Sequence, residues 1–181
     1  MTHAGTALID PQKIFEKIIL APGMRVADLG CGRTGHFVFS ASRIVGDTGI
    51  VYAIDIMKDI LESLKSRIRS EGFDNVQVIW SDVEIAGKTP IPADSLDVCF
   101  FINVMFLFKD KISAIKEAKR LLKNGGMLVV VDWAKKLGPL GPDTNMITRP
   151  EDIASLSRSA GLNLLENFSL GDYHYCLIFK K

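Results

Sequence analysis

The chain has 181 residues, 48% of them apolar, with 22 Lys and Arg against 21 Asp and Glu and a formal net charge of +1. That length suits one domain, 1–181, with a core of useful size, and the balanced charge gives no basic excess for a nucleic-acid backbone as partner. Cys31, Cys99 and Cys176 lie far apart, without metal-ligand spacing, and fit a reduced cytoplasmic protein. Met1 to Leu8 lacks the basic start and apolar run of a signal peptide. The longest apolar run, Val98 to Phe108, is interrupted by Asn103 and falls far below the ~20 residues of a membrane-spanning helix.

Asp10-Pro11 opens a first helix, with Asp as cap and Pro at the first helical position, and Ile14, Phe15, Ile18 and Ile19 share one face. Met24–Leu29 reads as a strand. A glycine cluster follows, then a helix carrying Phe37, Ala41, Ile44 and Val45. Gly46–Gly49 is a turn, and Ile50–Ile54 a buried strand with Asp55 at its carboxyl end. Met57, Ile60, Leu61, Leu64 and Ile68 mark an amphipathic helix closed by Gly72. Val76–Trp80 is a third strand, with Trp80 read as core. Ser81-Asp82-Val83-Glu84 comes after it, then a Pro-containing loop over Lys88–Ala93. Leu96–Ile102 is apolar throughout, as a central strand is.

Ile112, Ile115, Ala118, Leu121 and Leu122 form another helical stripe, which Asn124-Gly125-Gly126 breaks before a fifth strand, Met127–Val131. Lys135–Arg149 is irregular. Glu151–Ala160 is a last helix with Gly161 after it. Leu162–Phe168 and Tyr173–Lys180 read as an antiparallel hairpin. Five strands alternating with helices imply an α/β fold, a doubly wound and mostly parallel sheet, with the hairpin completing seven strands. Ligands of such sheets bind at the carboxyl ends of strands near the switch point. Asp28, Asp55, Asp82 and the glycines fall at such ends.

The turn Gly30-x-Gly32-x-x-Gly35 also fits a dinucleotide fingerprint, which alone is a weak signal. In that reading Asp55 holds a ribose, Asp82 has no role and no hydride-transfer apparatus is evident. A nicotinamide-dependent oxidoreductase therefore stays open as an alternative.

The ordered pattern resembles the class I S-adenosylmethionine-dependent methyltransferases over nearly the whole chain. Val26-Ala27-Asp28-Leu29-Gly30-Cys31-Gly32 is similar to the family's first motif, with the lead-in Ala21–Arg25. Asp55 matches its acidic residue after strand two, and Ser81-Asp82-Val83 its third motif. Asp97–Phe106 resembles its fourth, and Leu121–Asp132 the region around strand five. The nearest subgroup is similar to the small ubiquinone- and menaquinone-biosynthesis (type 11) methyltransferases. The resemblance implies S-adenosylmethionine as cofactor. It places Asp28 near the amino-acid end of the cofactor and Gly30, Cys31, Gly32 and Gly35 beside its methionine part. Asp55 would take both ribose hydroxyls, and Ile56 or Met57 the adenine face. Asp82 and the Val83 N–H would meet the adenine edge, and Asn103 the amino and sulfonium region.

Two departures stand out. Arg33 and Thr34 both lie between Gly32 and Gly35, which lengthens the turn by one residue and leaves Arg33 free to point at the ligand. Met105 and Phe106 stand where many relatives carry histidine. Methyl transfer from a sulfonium requires alignment and exclusion of water before it requires a base. The catalytic residue is left open, with His36, His174, Asp132 and Tyr173 as candidate bases. The acceptor is a small, partly apolar molecule, walled by the N-terminal segment, Met105, Phe106, Trp133 and the segment to Arg149. Phe108 reads as ordinary core, and Gly138–Pro142 equally as a lid or as passive surface structure. A homodimer whose partner covers the site is compatible with the short chain. A protein of the same fold that binds the cofactor without catalysis is the remaining alternative.

Overall fold

The structure is a computed structural model that describes residues 8–139 and 141–181. The expectations placed on Met1–Thr6, Ala7 and Leu140, including the N-terminal wall of an acceptor pocket and the tip of the lid, lie outside these residues. The element order is α1 (Pro11–Lys17), β1 (Arg25–Leu29), α2 (His36–Val45), β2 (Ile50–Asp55), α3 (Lys58–Glu71), β3 (Val76–Trp80) and β4 (Leu96–Ile102). It continues with α4 (Lys111–Leu121), β5 (Leu122–Trp133), α5 (Pro150–Ser159), β6 (Asn163–Leu170) and β7 (His174–Lys180).

All seven strands form one sheet in the order β3-β2-β1-β4-β5-β7-β6. Strands β1 to β5 are parallel, and β7 runs antiparallel to both β5 and β6. This is the expected doubly wound sheet with its C-terminal hairpin. Helices α1, α2 and α3 bury Phe15, Phe37 and Leu64 against one face, while α4 and α5 bury Ile115 and Ile153 against the other. Strand β4 is covered on both faces and flanked by β1 and β5, which accounts for its unbroken apolar sequence.

Local chemistry sets the boundaries. Asp10 accepts the Gln12 N–H at 3.0 Å and Pro11 occupies the first position of α1. The helix then stops at Lys17, so Ile19 leaves the apolar face, takes φ of +53° and is 76% exposed. Trp80 is not core. It ends the edge strand β3, is 46% exposed, and donates its indole N–H to the Ile56 carbonyl at 2.8 Å. Met57 precedes α3 at its capping position and is exposed.

The glycines after α4 do not interrupt helix and strand as expected. Strand β5 begins at Leu122, and Asn124–Gly126 form a bulge within it where the register jumps from Leu96↔Leu122 to Val98↔Met127. Gly125 takes φ of +81°, which L side chains rarely adopt, so the glycine allows the strand to bend without ending.

Candidate functional site

Strand β1 has β2 on one side and β4 on the other, and the chain leaves β1 and β4 toward opposite faces of the sheet. That divergence opens a crevice at the carboxyl edge. A cleft of about 180 Å³ lies there, lined by Gly30, the Asp55–Met57 turn, Ser81–Glu84, Asn103 and Val104, with Leu107 and Phe108 as its apolar wall. Gly30 takes φ of +88°, and a Cβ there would stand 2.7 Å from Cγ2 of Val104. Only glycine lets the turns after β1 and β4 approach this closely.

Asp55, 8% exposed, ties two turns together. Its Oδ2 accepts the Gly32 N–H at 3.1 Å and its Oδ1 the Met57 N–H at 2.9 Å. The N–H groups of Gly30 and Cys31 both donate to the Ile54 carbonyl, at 2.8 and 3.0 Å. Every amide of the glycine turn from 30 to 32 is therefore already paired. Asp82, half-buried, accepts the Glu84 N–H at 3.0 Å through Oδ1.

Asp28 is buried at 3% exposure, and its Oδ1 has no hydrogen-bond partner among the described residues. Burial, and then the negative charge of Asp55, pushes its pKa up to about 8. Asn103 follows β4 with φ of +53°, a left-handed conformation costly for a residue with a side chain. Its N–H donates to the Val131 carbonyl at 2.8 Å, while Nδ2 and Oδ1 are buried and have no partner among the described residues. Two buried groups able to donate or accept thus remain unsatisfied at the crevice, one of them lining it.

Gly30, Asp55, Ile56, Met57, Asp82, Val83 and Asn103 come together in the cleft. Cys31 and Gly32 sit behind it, held by Ile54 and Asp55. Gly35 stands apart from the cleft lining. It caps α2 with φ of +54°, and a Cβ there would meet Leu64 Cδ2 and Phe39 Cε2, both at 2.8 Å. Both residues between Gly32 and Gly35 bond to α3. Arg33 pairs with Asp59, and the Thr34 carbonyl accepts from Arg67 at 2.9 Å. Arg33 does not reach into the cleft.

The four residues expected to wall an acceptor do not share one surface. Met105 is wholly buried, because it turns into the core beside Leu29 and Ile115 rather than toward the crevice. Phe106 is half-buried, and Trp133 is buried against His174 with ring centroids 4.3 Å apart. Arg149 is exposed before α5 and paired with Asp152 at 3.0 Å. The apolar wall is supplied by Leu107 and by Phe108, which is half-buried and lines the cleft instead of belonging wholly to the core. Their place follows from the single 3-10 turn Met105–Leu107, which no sequence periodicity announces. Ser81 and Glu84 flank Asp82 in the motif itself, and that adjacency was the available signal.

None of the four candidate bases lines the cleft among the described residues. His36 lies 3.1 Å from the Ile9 carbonyl through Nε2. His174 is buried with Nε2 unpartnered, and burial pushes its pKa down to about 4. Burial pushes Asp132 up to about 7, against bonds from the N–H groups of Trp133, Phe106 and Met105. Tyr173 is half-buried, with the Lys135 ammonium 5.0 Å from its ring centroid.

A family profile described as a methyltransferase domain matches residues 20–159. The chain belongs to the class I S-adenosylmethionine-dependent methyltransferases. A ubiquinone/menaquinone biosynthesis C-methyltransferase of Vibrio campbellii is 37% identical to this chain over 120 residues, which is 64% of this chain and 44% of that protein. The chain thus spans less than half the length of this curated relative. Among solved structures, a SAM-dependent methyltransferase from Aquifex aeolicus superposes with a TM-score of 0.86 at 26% identity, covering 95% of this chain and 89% of that one. The [4+2]-cyclase SpnF superposes with a TM-score of 0.79 at 16% identity, covering 94% and 79%, and shows the shared fold alone.

The residues of the methyltransferase domain fit S-adenosylmethionine. The Gly30 turn leaves a cradle that a Cβ would fill, and Asn103 brings unsatisfied polar atoms to it. Asp28 is a buried carboxyl that a cation would pull back to its ionised form. The ligand carries an ammonium and a sulfonium and no phosphate, which suits carboxylates better than it would suit free amides.

Proposed function

We propose that this chain forms a single domain that moves a methyl group from S-adenosylmethionine to a small, partly apolar acceptor. One observation carries the choice of ligand: the amides of Gly30, Cys31 and Gly32 are consumed by the Ile54 carbonyl and the Asp55 carboxylate. A dinucleotide reading brings a pyrophosphate close to the second glycine, and the Asp55 carboxylate held on the Gly32 N–H opposes that approach. An oxidoreductase is accordingly disfavoured.

In this reading each carboxylate of Asp55 and Asp82 uses part of its acceptor capacity on the backbone and keeps the rest for the ligand. Asp55 holds the ribose hydroxyls and Asp82 the adenine amino group, with Val83 at the base edge and Ile56 and Met57 on its face. Asp28 and Asn103 meet the amino-acid end, and Gly30 permits the approach. When bound, S-adenosylmethionine supplies an electrophilic methyl on a cationic sulfur. The chain contributes alignment and dryness. Val104, Leu107 and Phe108 keep water from one side of the crevice. Cleft residues Leu107 and Phe108 also favour an acceptor with an apolar part. The name of the Vibrio relative makes carbon the first acceptor atom to assay, and quinone-biosynthesis intermediates the first compounds. A cytoplasmic location belongs to the same proposal and rests on three free, buried cysteines.

Titration calorimetry with S-adenosylhomocysteine tests the reading. Wild type is expected to bind, and Asp55→Ala to lose binding. Preferential binding of NAD(P), or unchanged affinity in Asp55→Ala, refutes it. Binding without turnover across phenols, quinols, amines and thiols would mark a cofactor-binding protein of the same fold.

A further inference from the structure

Residues 81–91 leave β3, pass through Asp82 and Val83 in the cleft, and turn back along α4 toward β4. Within the segment the N–H groups of Ile85, Lys88 and Ile91 donate to the carbonyls of Asp82, Ile85 and Thr89, and α4 adds ties from outside it. The carboxylate of Glu117, in the middle of α4, is wholly shielded from solvent. Its Oε2 accepts the Gly87 N–H at 2.8 Å and its Oε1 the Thr89 N–H at 3.2 Å. Arg120, one turn on, donates to both Glu117 oxygens at 2.8 Å and to the carbonyls of Thr89 and Ile91 at 3.0 and 3.1 Å. One turn of α4 therefore takes both backbone groups of Thr89. The Thr89 hydroxyl lies 3.2 Å from that of Ser81, the residue before Asp82. The start of α4 adds a second tie, where Glu84 accepts the Asp110 N–H at 2.5 Å.

This arrangement is more than an ion pair along a helix. An i,i+3 pair that only stabilised α4 would sit at the surface and point along the helix. Here the carboxylate is buried, and burial works against its charge. The bonds from Arg120, Gly87 and Thr89 outweigh that and leave its pKa below the ordinary value. A buried ion is tolerated only where its hydrogen bonds are complete, and two of these come from the loop. Loop position and Glu117 ionisation are thus coupled.

We propose that Glu117 is a positioning residue for the nucleobase end of the cofactor site, acting through Thr89 and Ser81 on Asp82 and Val83. The inference rests on the reading that Asp82 and Val83 hold the base. Glu117→Gln removes one acceptor oxygen and the charge, which leaves one of the Gly87 and Thr89 amides without its partner and weakens the bonds from Arg120, so the segment shifts and Asp82 loses its aim.

Titration calorimetry with S-adenosylhomocysteine and S-inosylhomocysteine, which has oxygen in place of the amino group, tests it on wild type, Glu117→Gln and Thr89→Val. Wild type is expected to prefer the adenine ligand by about tenfold, because a carboxylate accepts from an amino group and repels an oxo group. Glu117→Gln is expected to reduce that preference to about twofold, and Thr89→Val to an intermediate value. Amide hydrogen exchange is expected to quicken over residues 81–91 in Glu117→Gln and to stay unchanged in β1. A folded Glu117→Gln that keeps the wild-type preference overturns the proposal. If that variant does not fold, Thr89→Val decides alone, since it keeps the amide bonded to Glu117 and loses only the contacts of its hydroxyl, to Ser81 and to the Glu117 carboxylate. An unchanged preference there overturns the proposal. A wild type that binds both ligands equally overturns the reading of Asp82 and this inference with it. Preference in wild type retained by both variants overturns this inference alone.

Discussion

Asp28 makes the free protein less stable as pH rises, and replacing it with Asn should remove that dependence. The carboxyl is buried, with a pKa pushed from an ordinary 3.8 up to about 8 by burial and by the charge of Asp55. Below about pH 4 it carries its proton in both folded and unfolded chains and has no effect. Between about pH 4 and 8 the unfolded chain releases the proton and the folded chain keeps it. The unfolded state then binds fewer protons, so stability falls as pH rises, and the full cost stands above pH 8. From 3.8 to about 8 this corresponds to roughly 6 kcal/mol at about 1.36 kcal/mol per pKa unit, and relaxation around a buried charge reduces the observable part to roughly half. Urea unfolding of wild type and Asp28→Asn from pH 4 to 9 checks this. The variant should gain on wild type by on the order of 2–3 kcal/mol across that range, and should bind S-adenosylhomocysteine more weakly because it offers the ligand's ammonium no charge. A difference in stability that does not change with pH would refute the reasoning.

Two further outcomes follow from the same geometry. In Gly30→Ala the new methyl meets Val104 at 2.7 Å on a backbone at φ of +88°, whereas Gly171→Ala, at φ of +66°, meets nothing within 4 Å. Denaturant unfolding should show a loss of about 1–3 kcal/mol for the first and about 1 kcal/mol for the second, and only the first should weaken S-adenosylhomocysteine binding, by about tenfold or more. Equal effects of the two on binding would show that the approach of Val104 to Gly30 does not matter. In His174→Phe, the group whose pKa is pushed from 6.5 down to about 4 is gone. Wild-type stability drops through this group as pH falls from 6.5 to 4, because the unfolded chain takes up a proton that the folded chain refuses, and the variant should lack that drop in acid unfolding curves.

The half of the site that was legible in the sequence is the half set by strand ends. Asp28, Asp55, Asp82 and Asn103 occupy carboxyl ends of consecutive strands, and a parallel sheet brings such ends to one edge whatever the loops do. The apolar wall of the cleft was not legible, because it depends on where side chains turn. Met105, Phe106, Leu107 and Phe108 are all apolar in sequence, and only the 3-10 turn decides that Met105 enters the core while Leu107 and Phe108 face the crevice. Trp80 failed for the same reason in reverse: its strand is apolar, but the strand lies at the sheet edge. Glu117 carried no motif at all. Its partners are backbone groups some thirty positions earlier, which no side-chain pattern records.

The glycine turn shows why spelling and ligand are separable. Its Gly-x-Gly-x-x-Gly order also fits a phosphate-binding turn, yet its last glycine serves the packing of α2 on α3, and Arg33 and Thr34 before that glycine serve α3 as well. What remains at the crevice is Gly30 to Gly32, and there the deciding fact is which groups have already claimed the amides. Asp55 does so for Gly32 and at once places a carboxylate where a phosphate would have to sit. One side chain at the end of β2 thus completes the turn after β1 and, in the proposed reading, also sets the charge of the ligand that the turn accepts. By that logic, removing Asp55 would free an amide as well as a carboxylate's place, so the variant that loses S-adenosylhomocysteine is also the one in which anion binding at this turn becomes sterically and electrostatically permissible.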